Sequence, residues 1–265
     1  MNKTKKIIAL IFAFAFCITA TFGATVAYLT DTDDEANTFA IGNVEIELIE
    51  QQRVEDDNGN KTTALEEFAD DKVLLPIVGS AQNGEDAIGM PTAANYVDKI
   101  ITVENTGSQD AWVRVIMAFP ADMDAEKASE MMMHWNIADL PEVEYNWEIT
   151  EGEKGVVIEG KEYNLYTFVH NDILTAGRTT ESPAIIGVYI DSRVDATVDE
   201  AGNVTYSMKD ANGAVIASAT FEADEEGNVA GPQILVFAQA VQSAGFETAA
   251  DAFAAAVMPA NPWAE

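Results

Sequence analysis

Apolar and polar side chains alternate in the stretch led by Phe39 and Ile41, where Val44, Ile46 and Leu48 interleave with Glu45 and Glu47. A period of two places the apolar set on one face of an extended chain, so the pattern, with Glu50 among its polar positions, predicts a half-buried strand here. Comparable runs predict strands over residues 96–103, 143–149, 155–159, 163–169 and 185–191. A further one contains Trp112, Val113, Val115, Met117 and Phe119 and closes on Pro120. Between the strands at 96–103 and 112–119, Asn105-Thr106-Gly107-Ser108-Gln109-Asp110 reads as the turn of a hairpin.

From residue 194 to 242 one turn chemistry recurs. Asp199 precedes Gly202-Asn203, Asp210 precedes Gly213, and Asp224 precedes Gly227-Asn228. In each, a glycine can take positive φ beside an Asp or Asn that bonds local backbone. They predict hairpin tips joining strands over 203–208, 214–222 and 233–241. Helical spacing is rarer. Ala128, Met131, Met132 and Trp135 predict a helix over 125–135, an Ala-rich stretch predicts another over 246–257, and a short one fits 63–68. Many short strands with Gly-centred turns and little helix predict an all-β fold, an antiparallel sandwich or barrel with a few short inserted helices. No linker divides residues 28–265, which read as one domain with a hairpin insertion around 194–231.

Residues 1–27 break this pattern. Lys3, Lys5 and Lys6 precede an apolar run from Ile7 through Phe16, followed by the small residues Thr19, Ala20, Thr21, Gly23 and Ala24, with no acid. Basic, then apolar, then small is the order of an export signal, and Thr25-Val26-Ala27 offers a cleavage point between Ala27 and Tyr28. The 21 uncharged residues from Ile7 to Ala27 also have the length of a membrane anchor. Thr and Gly near the end, and the cleavage-like tripeptide, favour the signal, which leaves contact with a membrane to the uncleaved leader. Cys17 follows Phe16 rather than a small residue, which argues against lipid attachment.

Charge narrows the partners. Among 265 residues, 45 are Asp or Glu and 14 are Lys or Arg, a net charge of −31. Nucleic acid is excluded as a partner, because polyanions recruit Lys and Arg. With 48% hydrophobic residues the chain is too apolar to be a disordered acidic tail. Beyond Ala27 there are 11 basic and 45 acidic residues, a net of −34, and no cysteine. Stability there must come from core packing rather than disulfides, and no thiolate nucleophile is present.

Catalytic patterns are sparse. His134 and His170 are the two histidines, and neither sits in a His-Glu-x-x-His helix. His134, between Met133 and Trp135, reads as a core-edge imidazole. No Gly-x-Ser-x-Gly elbow, Walker loop or dinucleotide fingerprint occurs, so no catalytic residue, cofactor or metal ligand is assigned. Asp56, Asn58, Asn60 and Glu67 fall at alternate ligand positions of a calcium loop. Lys61 occupies the position that calls for glycine, and a plain solvated turn is the competing reading.

The order of segments resembles the TasA/camelysin family of exported Gram-positive proteins. The blocks that carry the resemblance are Ala24-Thr-Val-Ala-Tyr-Leu-Thr-Asp31 with Ala36-Asn-Thr-Phe-Ala-Ile-Gly-Asn-Val44, and Lys99-Ile-Ile-Thr-Val-Glu-Asn-Thr-Gly-Ser-Gln-Asp-Ala-Trp-Val-Arg-Val115. Asn171-Asp-Ile-Leu-Thr-Ala-Gly-Arg-Thr-Thr180 and Ala238-Gln-Ala-Val-Gln-Ser-Ala-Gly-Phe246 add to it. The chain departs at Ala176-Gly177, where the family often has Pro-Gly, and over 194–231. The resemblance implies a jelly-roll sandwich, removal of the leader by a SipW-type signal peptidase, and a secreted protein of the extracellular matrix or cell surface. It further implies homo-oligomeric biofilm fibres, with a matrix accessory protein as a possible partner. In such fibres Tyr28, Leu29, Thr30 and Asp31 would begin a donor strand that adds to the next subunit. Two rival functions are a camelysin-like secreted metallopeptidase, since such members are classified so, and a monomeric surface adhesin using the 194–231 hairpins.

Overall fold

The computed structural model describes residues 30–33, 44–57, 59–69, 74–77, 90–91, 93–124, 130–137, 144–223 and 231–264. Its organising element is β6 (Ala111–Pro120), in which every residue except Arg114 is buried. Such a strand must be covered on both faces, and the structure covers it. Val113, Val115, Met117 and Phe119 face the central core, whereas Trp112, Ile116 and Ala118 face two smaller apolar clusters.

β6 is the middle of a sheet ordered β1 (Thr30–Asp33), β15 (Leu235–Gln242), β6, β10 (Lys161–His170) and β8 (Trp147–Glu151); β9 (Val156–Ile158) also pairs with β10. A second sheet is ordered β3 (Lys61–Glu67), β2 (Ile46–Glu55) and β5 (Ile100–Asn105). Residues 177–186 extend it beyond β5. The Ala184 N–H donates to the Ile101 carbonyl at 2.8 Å, and the Thr180 N–H donates to the Val103 carbonyl at 2.9 Å. Ile46, Ile101 and Val103 of this sheet meet Val115, Met117, Phe168, Ala238 and Ala240 of the first in one core. This is the expected antiparallel β-sandwich.

The outer face of the first sheet is capped by the chain's end. α1 (Ala249–Ala255) begins at Thr248, whose Oγ1 accepts the Asp251 N–H at 3.1 Å, and packs against Trp112 and Val241. It falls within the helix expected over 246–257. Trp263 covers Ile116, Ala118 and Leu165 nearby.

Two further three-stranded sheets flank the sandwich. One is β4 (Val97–Asp98), β11 (Gly187–Ile190) and β7 (Met133–Asn136). Gly187 is required there by close approach, since a Cβ would meet the Tyr96 hydroxyl at 2.5 Å. The other is β12 (Val194–Val198), β13 (Val204–Lys209) and β14 (Val215–Phe221). Its tips use the chemistry read from the sequence. Asp199 Oδ1 accepts the Ala201 and Asn203 N–H groups, Asp210 Oδ1 accepts those of Asn212 and Ala214, and Gly202 and Gly213 have φ of 89° and 83°. Val194, Val204, Tyr206, Met208 and Ala219 join the central core, so this segment is built into the sandwich rather than appended to it.

Four expectations need correction. The 105–110 segment is no hairpin: β5 pairs with β2, whereas β6 pairs with β10 and β15, so the turn is an arch between sheets. Buried Asn105 fixes the arch, donating from Nδ2 to the carbonyls of Gln109 and Leu174 and accepting the Gly107 N–H. Residues 63–68 lie mostly in β3, because pairing with β2 satisfies their backbone better than an isolated helical turn would. Met133, His134 and Trp135 form β7 against β11 rather than the end of a helix, while residues 125–129 lie outside the described residues. Finally, β15 does not continue the β12–β14 meander but crosses to β6.

Candidate functional site

β15 offers two backbone edges. One pairs with β6 along its whole length, from Leu235↔Ala118 to Gln242↔Ala111. The other receives β1 in antiparallel register, with Thr30↔Val241, Asp31↔Ala240, Thr32↔Gln239 and Asp33↔Ala238. Of the residues expected to form a donor strand, Thr30 and Asp31 therefore lie in a strand added at a sheet edge. Ala27, Tyr28 and Leu29 lie outside the described residues.

The receiving edge is prepared by the residues behind it. Ala238 and Ala240 are fully buried and small, so β15 sits close against the opposite sheet. Gln239, also fully buried, accepts from Arg114 Nε at 2.6 Å through Oε1. Arg114 in turn donates from Nη2 to the Pro259 carbonyl at 3.1 Å and lies 4.5 Å from the centre of the Phe253 ring. Burial pulls its guanidinium pKa down from the usual arginine value. β15 is thus pinned by β6, by the core and by the chain's end, whereas β1 contributes four residues of main-chain pairing.

A separate polar cleft of about 420 Å³ opens beside β10, lined by Glu144, Asn146, His170, Asp172, Arg178 and Glu181 among others. The His170 Nδ1 is 2.7 Å from the Asp172 carbonyl, which accepts, so Nδ1 carries the proton; its ring meets Trp147 edge-on at 5.0 Å. Asn146 donates from Nδ2 to Asp172 at 2.8 Å and from its backbone to the Ser182 Oγ at 3.1 Å. No hydrogen bond joins His170 to Ser182 among the described residues. The 171–180 block supplies part of this rim and joins the arch, Leu174 bonding to Ala111 in both directions.

His134 lies on β7, on a different sheet from His170 on β10. It stacks on Tyr189 with ring centres 5.2 Å apart, and its Nε2 is 3.5 Å from Asp191 Oδ2. Among the described residues no three His, Cys, Asp or Glu side chains converge as metal ligands would. The calcium-loop reading fails on distance. The Asp56 carboxylate is used on the Asn60 N–H at 2.8 Å, and Glu67 ends the seven-residue β3, about 20 Å along the strand at about 3.3 Å per residue. The described residues include no helix long and apolar enough to cross a membrane.

Sequence reasoning missed the most buried ionic cluster. Arg53 donates from Nε and Nη2 to Asp98 at 2.8 and 2.7 Å and from Nη2 to the Pro91 carbonyl at 2.7 Å. Lys61 adds a second cation at 2.9 Å from Asp98, and Lys99 pairs with Glu50 over the Phe68 ring. Burial alone would push the Asp98 carboxyl up; hydrogen bonds from Arg53 and Lys61, with their charges, outweigh it and hold the group below its usual range. Residues 53 and 98 are too far apart for any local motif to connect them, and the cluster's groups are spent on one another.

No family model, curated protein or solved structure matches the chain.

Proposed function

We propose that this chain is an exported structural protein of the cell surface or extracellular matrix. Its subunits assemble into fibres by passing the leader strand Thr30–Asp33 from its own β15 to the β15 of a neighbour. The observation that supports this reading is the edge pairing of β1 on β15. Main-chain ladders are satisfied by any extended segment of suitable register, so a strand that pairs in cis can pair in trans. Four residues of edge pairing are a small contact to exchange. The receiving strand keeps its shape without them, because β6 and the core hold it.

A reversible lock tests the exchange. With Asp31→Cys and Ala240→Cys, directly opposite in the ladder, oxidation ties β1 to its own sheet. Oxidised protein should form no fibres by negative-stain microscopy, and reduction should release them. Removing residues 28–37 should abolish fibres under both conditions. Fibres that persist after this removal, or protein that stays monomeric at every concentration after leader release, overturn the proposal. N-terminal sequencing of the secreted protein checks that Tyr28 is the first residue. Because the net charge beyond Ala27 is −34, added salt should raise fibre yield by screening repulsion; a yield that falls with salt contradicts this.

A further inference from the structure

Among the described residues β14 is a second edge with no strand on its outer side. One side pairs with β13 from Val204↔Phe221 to Lys209↔Val215. On the other side no backbone group among the described residues bonds to it, although the Ala121–Met123 turn lies nearby. An antiparallel strand with one neighbour leaves alternate N–H and C=O groups pointing outward, a ready template for another strand.

The other edges among the described residues are short or charged. β1, β4, β7 and β9 have four residues or fewer. β3 carries Lys61, Glu66 and Glu67, β8 carries Glu148 and Glu151, and β12 carries Asp195. Short length and edge charges are how proteins ordinarily block strand addition. β14 has seven residues without a charge, inside an uncharged stretch spanning 211–221, and Val215 and Ile216 are 57% and 38% exposed.

The charge pattern selects the occupant. Two molecules that each carry −31 repel wherever carboxylates face one another, and this uncharged strand is where backbones can approach without opposing them. An antiparallel pair of identical strands is also self-complementary about a two-fold axis. Centred on Ser218, it sets Ile216 of one copy opposite Thr220 of the other, covering the exposed isoleucine. We propose that β14 pairs with β14 of a second copy, joining two β12–β13–β14 sheets into one continuous six-stranded sheet. The contact closes on itself and gives a dimer rather than a fibre. It uses a different sheet from the β1–β15 pairing and stands independently of it.

The test uses the chain as its host processes it, with Cys17→Ser so that introduced cysteines are the only ones. Sedimentation equilibrium of the parent, cleared of fibres by prior centrifugation, should show a concentration-dependent dimer. The double variant Ile216→Glu with Ser218→Glu, both at exposed positions, should weaken the dimer about 100-fold or more by placing like charges across the pair, with an unchanged circular dichroism spectrum. Thr197→Glu, exposed on β12 at the far edge of the same sheet, should leave it intact. Single cysteines at 216, 218 and 220 should crosslink under mild oxidation far more readily than one at 197. A parent that is monomeric at its highest soluble concentration, or a dimer that survives the double variant, overturns the proposal. So does a dimer abolished by Thr30→Pro with Thr32→Pro, because the occupant would then be the leader strand. Failure of the β15 lock experiment alone leaves this prediction standing.

Discussion

The sheets β3–β2–β5 and β12–β13–β14 are alike in strand number and antiparallel pairing, yet they are secured by opposite chemistry. Beside the first, Arg53 and Asp98 are paired in the interior with side chains 0% and 1% exposed, and Lys61 adds to them. The second places Tyr206 and Met208 in the central core and keeps its ions outside, as in the exposed Lys209–Asp195 pair. A charge network and an apolar face can both hold a sheet, but they fail differently. Removing one partner from the network strands a charge, whereas trimming the apolar face leaves a cavity.

The largest expected effect is therefore Asp98→Ala, which leaves Arg53 without its carboxylate and should cost about 3–5 kcal/mol in chemical denaturation. Combining it with Arg53→Met should recover part of that loss, because the stranded cation is gone; a double variant less stable than Asp98→Ala would break the comparison. pH sharpens it. The Asp98 carboxyl has a folded pKa below its ordinary 3.8, so the unfolded chain binds the proton more readily. Its stabilisation is complete above the unfolded value and is lost as pH falls through the folded one. The stability gap between the parent and Asp98→Ala should thus be constant near neutrality and shrink below about pH 4.

Next in size is Met208→Ala, at about 3 kcal/mol through loss of buried volume, with no such acid dependence. Tyr206→Phe removes a buried hydroxyl that donates to the Leu74 carbonyl at 2.6 Å and should cost about 1 kcal/mol. Burial pushes the Tyr206 phenol up to about 12, so this gap should stay flat from acid to mildly alkaline pH. The smallest effect belongs to Arg193→Ala. That arginine also grips an aspartate, Asp191, at 2.8 Å, but it is 47% exposed, and its loss should cost less than about 1 kcal/mol. An effect at Arg193 as large as that at Asp98 would show that burial is not what separates the two pairs.

Much of the strand content was legible, because alternation reports which face is covered: β5, β10, β13 and β14 lie close to the runs that predict them, whereas β2 starts at Ile46, late in its run, and continues beyond it to Glu55. The Asp199 and Asp210 tips were legible too, since their bonding is local to about four residues, while the Asp224 tip lies outside the described residues. What escaped was pairing. Nothing local distinguishes the Asn105 arch from a hairpin, because the decisive contact is to the Leu174 carbonyl, 69 residues away. Nor does the Met-rich stretch reveal that Met133–Asn136 pairs with β11, since apolar spacing fits a buried strand as well as a helix. At the candidate site, the family resemblance rather than any periodicity marked Thr30 and Asp31 as the start of a donor strand. The identity of β15 as their neighbour depends on a closure across more than 200 residues.

That closure bears on how the molecule is made. The ribosome delivers β1 about 200 residues before β15, yet they are adjacent in the finished ladder, with β6 on the far side of β15. The principal sheet stays incomplete until Leu235–Gln242 has emerged. Such a high contact order slows folding and prolongs the time during which unfinished chains expose their edges to one another.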